Sequence, residues 1–317
     1  MRIFASIVEA CTKYFWIFLV TFGVPGNVIT VVVSVQRSNR AIAACLYMAA
    51  IATADFLVLV TSGSCYTLMF WIVGESLREV PLQCCWYSVY TFGTLSGLSL
   101  AQMSIDRLIA VRFPLRAIQL CTTGRTKRTV AITYTTIITL NLHVFFVYKK
   151  EGPLMLNVVI PGHHVLQTLV LQYHLFIGTV LPFAVIVVCN IWIIVTLKNS
   201  AKWRKQTNKT TVNNGGQKSR ETSHLTRMLV TVCVAYVVTT IPYRLYVVFM
   251  EGVPELVDLY DMNETYWNLR YTAQYWLFSN LWVSNYGINF YLYCVGGGSK
   301  YRNDVKKMVK KLLRLNK

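Results

Sequence analysis

Charged side chains interrupt several otherwise apolar stretches of this 317-residue chain, and they are its first candidates for chemistry. Asp55 lies in the middle of one stretch, Asp106 and Arg107 close another, and Arg244 lies two residues after Pro242 in a third. An ionisable group at the centre of a membrane helix costs roughly 2.5–3.5 kcal/mol on insertion scales, so each needs a partner, a ligand or water. A carboxylate can bind a cation, a guanidinium can bind an anion, and a charged pair can exchange partners between two states.

Catalysis is not indicated by the same sequence. It has no carboxylate pair, Ser-His-Asp set or Cys-x-x-Cys pair arranged for a reaction. Gly296–Lys300 lacks the spacing of a phosphate-binding loop, and the adjacent His163 and His164 do not make a metal site by themselves. We therefore predict that the protein is not an enzyme and has no cofactor apart from the ion considered below.

Seven apolar stretches of about 20 residues or more must position these side chains. A helix of about 20 residues crosses a hydrocarbon core of about 30 Å, and in lipid every backbone group must be paired within the protein. The sequence therefore predicts an all-α membrane protein with a seven-helix bundle. The stretches lie near Tyr14–Val35, Ala43–Leu68, Cys85–Val111, Thr129–Tyr148, Leu166–Leu197, Leu225–Phe249 and Thr272–Val295.

Basic residues are distributed unequally between the two sides of this bundle. With the N-terminus outside, 23 Lys and Arg lie on the cytoplasmic side and 6 on the outer side. Positive residues favour the cytoplasmic side, so we expect a multi-pass protein of the plasma membrane with its N-terminus outside and its C-terminus in the cytoplasm. The net charge is +18, but the charged residues lie in the segments between helices rather than along a groove, which argues against nucleic acid as a partner.

The chain divides into three predicted parts. Residues 1–13 form a short extracellular N-terminus, 14–297 the seven-helix domain, and 298–317 a cytoplasmic tail helix. In the tail, apolar and basic residues recur on opposite helical faces, as expected of a helix that lies on membrane lipids. Asn263 begins an Asn-Glu-Thr sequon in the third outer loop, where glycosylation is expected.

Short motifs on successive helices carry a family resemblance. They are Gly26-Asn27, Ala54-Asp55, Asp106-Arg107-Leu108 with Pro114-Leu115, Pro182, Pro242, and Asn289-Phe290-Tyr291-Leu292-Tyr293. In this order, these motifs resemble those of the rhodopsin-like (class A) G-protein-coupled receptors over nearly the whole chain. Ile241–Arg244 and the Phe in place of the helix-seven proline are similar to FMRFamide-type neuropeptide receptors and their orphan and chemosensory relatives.

The resemblance implies a cytoplasmic switch and a set of partners. Side chains of helices three, six and seven would couple the receptor to a heterotrimeric G protein: Asp106, Arg107, Leu108, Tyr236, Pro242, Asn289 and Tyr293. Asp106 is the expected local partner of Arg107, and Glu221 is a second. Arrestin and a receptor kinase are further partners that the family implies.

A polar cluster matches family positions that bind sodium. Asp55, Ser96, Asn285 and Asn289 would surround the ion, because oxygen ligands around one carboxylate suit a hard cation. The alternative, a hydrated polar network without an ion, remains open at this point.

The expected ligand is an extracellular peptide or small molecule. Arg244 has no obvious acidic partner within the helices, and nearby aromatic residues would suit a ligand with a carboxylate or carbonyl and an aromatic group. The predicted ligand-binding residues are Tyr90, Tyr243, Arg244, Tyr275 and Trp276. In the alternative interpretation, Arg244 reaches up to Glu251 and serves folding only.

Several departures from the family pattern leave other functions open. The second outer loop, near 149–167, contains no cysteine, and Thr240 occupies the position of the usual helix-six tryptophan. The preferred function is a receptor for a short neuropeptide or a small amino-acid-like molecule. The alternatives are a seven-helix transporter and a degenerate receptor that signals poorly.

Overall fold

A computed structural model describes most of the chain. It covers residues 2–36, 39, 42–68, 79–151, 155–158, 164–207, 216–252, 264–296 and 298–315. Asn263, the predicted glycosylation site, lies outside the described residues, and so does the side chain of Glu221.

Helices account for nearly all of the described residues. Eleven α-helices, a 3-10 turn (Asn141–His143), a π-helix (Phe176–Val180) and two strands, β1 (Tyr148–Glu151) and β2 (Met155–Val158), follow one another along the described chain. The α-helices are α1 (Arg2–Val35), α2 (Ala43–Leu68), α3 (Glu79–Arg112), α4 (Pro114–Leu120), α5 (Thr123–Leu140), α6 (Val144–Val147), α7 (His164–Leu175), α8 (Leu181–Thr207), α9 (Gly216–Gly252), α10 (Glu264–Gly296) and α11 (Gly298–Leu315).

Five segments of the described chain are long and apolar enough to cross a membrane. They are Ala10–Val35, Ala43–Cys65, Thr123–Val147, Gln172–Ser200 and Met228–Val247. The remaining two predicted spans correspond to α3 and α10. Helix α3 packs against α2 and α8, and helix α10 packs against α1 and α9. These two helices are more polar than the other five spans. Many of their hydroxyl and amide side chains are buried against other helices, where they need not face lipid.

The helices differ from the predicted stretches chiefly at their ends. The first helix begins at Arg2 rather than near Tyr14, so residues predicted as a short N-terminal segment continue the helix. The second outer loop contains a hairpin that the sequence analysis did not predict, in which Tyr148 pairs with Val158 and Glu151 with Met155. The end of the bundle that carries this hairpin is called the outer end below, after the orientation predicted from charge.

Buried apolar residues form two main clusters inside the bundle. The inner one includes Met48, Leu100 and Tyr293, and the outer one includes Trp16 and Trp282. Each cluster joins residues from several helices, so burial of these side chains holds the bundle together and fixes the polar groups between the clusters.

Two glycines allow α1 and α10 to approach closely. A Cβ atom at Gly23 would lie 2.9 Å from the Cα atom of Gly287, which is closer than real Cβ contacts. Small residues at such crossings allow membrane helices to gain van der Waals contact. An alanine at Gly23 would therefore push these two helices apart.

The tail forms the predicted amphipathic helix, α11. Tyr301 and Met308 are buried against the bundle, whereas Arg302 and Lys306 are exposed. Asn39 Nδ2 donates a hydrogen bond of 3.1 Å to Asp304 Oδ2, which fixes the helix beside the loop after α1. The prediction of a tail helix with one apolar and one basic face is confirmed.

Candidate functional site

A cavity at the outer end of the bundle is surrounded by aromatic side chains from α3, α9 and α10. Its cavity volume is about 80 Å³, which is room for one small group of a ligand, whereas pockets that enclose a whole drug-sized molecule typically measure about 300–1,000 Å³. Its lining residues are Trp86, Tyr90, Tyr243, Arg244, Val247, Tyr275 and Trp282.

The cavity contains a cation held by aromatic rings. The Arg244 Cζ atom lies 4.9 Å from the ring centroid of Trp282 and 5.7 Å from that of Tyr243. These two rings stack on each other, with centroids 4.6 Å apart and an interplanar angle of 1°. Arg244 Nε is buried and has no hydrogen-bond partner among the described residues. The guanidinium is thus stabilised through its π-contacts and retains a donor for a ligand.

Pro242 determines how this part of α9 presents its side chains. A proline inside a helix has no N–H to donate to the carbonyl of residue 238, so the helix can bend there. Tyr243, the next residue, is buried against Trp282, whereas Arg244 is only partly buried and reaches the cavity. The proline therefore lies at the boundary between the ligand cavity and the inner part of α9.

Four of the five predicted ligand-binding residues line the cavity, and Trp276 does not. The Trp276 ring is buried with Val8 and Ala273 and touches the cavity lining through Tyr275, whose ring centroid lies 5.5 Å away. Trp282, which was not predicted, lines the cavity instead. It lies seven residues, or about two helical turns, after Tyr275 and is therefore on the same face of α10. Helical spacing in the sequence could have indicated this choice.

A pair of histidines, missed by the sequence analysis, supports one wall of the cavity. The His174 ring stacks on that of Tyr90 with centroids 4.2 Å apart. His174 Nε2 also lies 3.0 Å from His143 Nε2, and the two ring nitrogens form a hydrogen bond. Because His143 follows α5 and His174 ends α7, this contact fixes the position of Tyr90 relative to two neighbouring helices.

The predicted polar cluster is assembled around Asp55 in the middle of the bundle. Asp55 Oδ2 accepts a hydrogen bond of 2.7 Å from Asn289 Nδ2, and Ser96 contacts the same carboxyl group. Asn285 is buried nearby on α10, one turn before Asn289. The structure thus joins α2, α3 and α10 through the carboxylate that the sequence analysis placed at this depth.

Oxygen atoms without hydrogen bonds make this cluster suitable for a cation. Asp55 Oδ1 and the side-chain oxygen of Asn289 are buried without a hydrogen-bond partner among the described residues. Buried oxygens of this kind are costly unless a donor or a cation meets them. The residues present therefore fit the predicted sodium ion.

The predicted switch lies at the C-terminal end of α3, opposite the outer end of the bundle. Arg107 forms no direct ion pair or hydrogen bond within the described part of the chain, although the negative charge of Asp106 attracts its guanidinium. Both side chains are partly buried, as is Leu108. Cys121, in the loop after α4, donates a hydrogen bond of 3.4 Å to the backbone carbonyl of Asp106. The expectation of Asp106 as the local partner of Arg107 therefore stays a prediction, since the two charges attract each other but form no direct ion pair in the conformation described.

Two predicted switch tyrosines lie between this end and the cavity. Tyr293 is fully buried, and its hydroxyl has no hydrogen-bond partner among the described residues. The Tyr236 hydroxyl lies so close to α3 that a Cβ at Gly97 would be 2.8 Å from it. Both rings thus fill the inner core, and both hydroxyls lie where helix movement would change their contacts.

Comparison with known sequences identifies the family of this chain. The model of the 7 transmembrane receptor (rhodopsin family) matches residues 26–285, which extend from within α1 to within α10. The chain belongs to this receptor family. A human relative, G-protein coupled receptor 183, is 28% identical over 200 residues, which make up 60% of this chain and 54% of that receptor. The match thus spans about half the length of this curated relative.

Family membership confirms the seven-helix receptor fold and places the receptor in a membrane. The family is one of signalling receptors rather than enzymes. The matches do not show the finer resemblance to FMRFamide-type neuropeptide receptors, which stays a prediction.

Proposed function

We propose that this receptor binds an extracellular ligand in the cavity around Arg244 and, in response, activates a heterotrimeric G protein at its cytoplasmic face. The observation that supports ligand binding most directly is a partly buried guanidinium in an aromatic cavity, with a buried donor that no described residue satisfies. The similarity to a human G-protein coupled receptor supports the choice of partner. The site of action is the plasma membrane, with the N-terminus outside.

The cavity favours a ligand that combines an acceptor with an aromatic group. Arg244 can donate to a carboxylate or carbonyl, and charge-assisted hydrogen bonds of this kind are among the strongest in proteins. The rings of Trp86, Tyr90 and Trp282 provide flat apolar surface for an aromatic side chain. A short neuropeptide or a small amino-acid-like molecule satisfies both requirements.

The helix that carries Arg244 also offers a path to the cytoplasmic face. Tyr236 lies two turns before Tyr243 on α9 and contacts α3 beside Gly97. Ligand binding that shifts the outer part of α9 about Pro242 would displace Tyr236 and the inner end of the helix. Arg107, which has no ion-pair partner in the described part of the chain, is then available to the G protein.

The remaining proposed partners are an ion, membrane lipids and two cytoplasmic proteins, of which the last two are proposed from the family resemblance alone. Sodium, bound at Asp55, would stabilise one arrangement of α2, α3 and α10 and so change the affinity for ligand. Membrane lipids contact the basic face of α11, and arrestin and a receptor kinase would bind the activated cytoplasmic face.

A ligand screen with a G-protein readout tests this proposal, followed by a matched pair of variants. Trp282→Phe alters a ring that stacks on Tyr243 and lies under Arg244, whereas Trp276→Phe alters a buried ring outside the cavity. We expect Trp282→Phe to weaken ligand binding about three- to thirtyfold, as cation–π contacts contribute about 0.5–2 kcal/mol. Trp276→Phe should leave ligand affinity within about twofold of the parent receptor.

The pair also separates ligand recognition from general damage to the bundle. Equal surface expression is required of both variants, since both tryptophans are large buried side chains of α10. If Trp276→Phe weakens binding and Trp282→Phe does not, the ligand lies elsewhere than in this cavity.

A further inference from the structure

Two cysteines face each other at the outer end of the bundle, one on α2 and one on α3. The side chains of Cys65 and Cys85 are hydrogen-bond partners, and in the structure both are thiols rather than halves of a disulfide. Cys85 is buried and Cys65 is partly buried, whereas the neighbouring Cys84 is exposed. The pair is therefore enclosed between two helices rather than brought together on a mobile surface.

The packing of α2 on α3 independently places these residues opposite each other. One turn deeper in the bundle, the hydroxyls of Thr61 and Ser88 are in contact, and Ser88 also donates a hydrogen bond to the Leu57 carbonyl. Cys65 follows Thr61 by four residues along α2, and Cys85 precedes Ser88 by three residues along α3. At 1.5 Å rise per residue these steps advance about 6 Å and 4.5 Å toward the outer end of the two antiparallel helices. The next pair of facing side chains is thus Cys65 and Cys85.

We propose that Cys65 and Cys85 form a disulfide that joins α2 to α3 in the mature receptor. The proposal rests on the outward orientation of this end of the bundle, which is part of the proposed function. Disulfides form and persist on the extracellular and lumenal side of membranes, where the environment is oxidising. Thiols that are hydrogen-bond partners are already neighbours, and the disulfide brings their sulfurs to the bonding distance of about 2.05 Å.

The bond forms by exchange with a disulfide-bearing oxidoreductase of the secretory lumen. One thiol loses its proton and attacks the disulfide of the oxidant, which gives a mixed disulfide and releases one oxidant thiolate. The second receptor thiolate then attacks the mixed disulfide and releases the oxidant as a dithiol. Two S–H bonds are replaced by one S–S bond, two protons leave, and two electrons pass to the oxidant.

Such a bond would close a loop of about 20 residues that connects α2 and α3. Most of this connection, residues 69–78, lies outside the described part of the chain. Cross-linking its two ends restricts the unfolded chain and stabilises the folded state, more for longer loops. It would also fix Trp86, which follows Cys85 directly and lines the ligand cavity.

Peptide mapping of the full-length receptor tests the proposal. Receptor purified from cell membranes is denatured in N-ethylmaleimide, which blocks thiols, and is digested without reductant. We expect a linked pair of peptides that contains Cys65 and Cys85, with Cys84 alkylated. Alkylation of both Cys65 and Cys85 without reductant would overturn the proposal, and so would a bond from Cys85 to Cys84 or Cys11.

Thermal stability provides a second measurement with a matched control. Cys65→Ser and Cys85→Ser should each lower the unfolding temperature by about 5 °C or more, and prior reduction should lower the parent's by a similar amount. Reduction should not lower it further in either variant, whereas Cys84→Ser should retain the parent's stability and response. An equal response to reductant in all four proteins would overturn the proposal.

The orientation on which the proposal rests has a separate test. If an epitope on the N-terminus is detected only after permeabilisation, this end of the bundle faces the cytoplasm and both proposals fail. If the N-terminus is outside but both thiols are alkylated, only the disulfide fails and the receptor function stands.

Discussion

Replacement of Arg244 by glutamine removes the positive charge of the ligand cavity and keeps a side chain that can donate a hydrogen bond. A hydrogen bond to a charged group contributes about 1.5–3 kcal/mol, and about 1.4 kcal/mol corresponds to a tenfold change in affinity. If Arg244 contacts an acidic group or a carbonyl of the ligand, Arg244→Gln should therefore weaken binding about 10- to 150-fold. Arg244→Lys keeps the charge but loses the planar guanidinium that lies over Trp282, so its effect should be intermediate.

The same variants should change the stability of the ligand-free receptor much less. Loss of the contacts with Trp282 and Tyr243 should lower the free energy of unfolding by about 1–2 kcal/mol. The variants also remove a buried donor that has no described partner, and relief of that cost offsets part of the loss. The assay is saturation binding of a labelled agonist at matched surface expression, with the unfolding temperature measured in parallel. Parental affinity in both variants would refute the assignment of Arg244 as a ligand contact. A large loss of stability with parental affinity would show that Arg244 serves folding.

Three further predictions follow from the polar cluster, the inner core and the topology. Asp55→Asn should abolish the effect of sodium on agonist affinity, because it removes the carboxylate of the cluster, and an unchanged sodium response would contradict the ion site. Tyr293→Phe should change the free energy of unfolding by less than about 1 kcal/mol, because the lost hydroxyl has no hydrogen bond among the described residues, and a loss of several kcal/mol would reveal a missed partner. An epitope placed after Lys300 should be detected only in permeabilised cells while Asn263 carries a glycan, and detection on intact cells would reverse the orientation.

The helices and the charged residues within them could be predicted from the sequence because membrane physics restricts both. Apolar stretches of about 20 residues can only be helices in lipid, and the cost of burying Asp55 indicated that it needed a partner. The identity of that partner could not be derived from spacing, because Asn289 is 234 residues away in sequence. The family resemblance supplied it.

Errors occurred where a position was assigned without regard to helical face. Trp276 was predicted to line the cavity together with Tyr275, yet neighbouring residues on a helix point about 100° apart, and the Trp276 ring packs beside Val8 of α1. The hairpin after α6 was missed although the Gly152-Pro153 dipeptide, typical of a turn, lies between its strands.

Arg107 provides the most direct test that the receptor activates a G protein through its cytoplasmic face. The measurement is agonist-stimulated nucleotide exchange by a heterotrimeric G protein with the purified receptor in lipid, for the parent, Arg107→Ala and the control Arg112→Ala. Arg112 is exposed at the end of the same helix, so the control removes an equal charge. We expect Arg107→Ala to reduce the rate of nucleotide exchange by the G protein at least tenfold while agonist binding is retained. Arg112→Ala should support exchange at the parental rate. Exchange at the parental rate in Arg107→Ala would contradict the proposed mechanism.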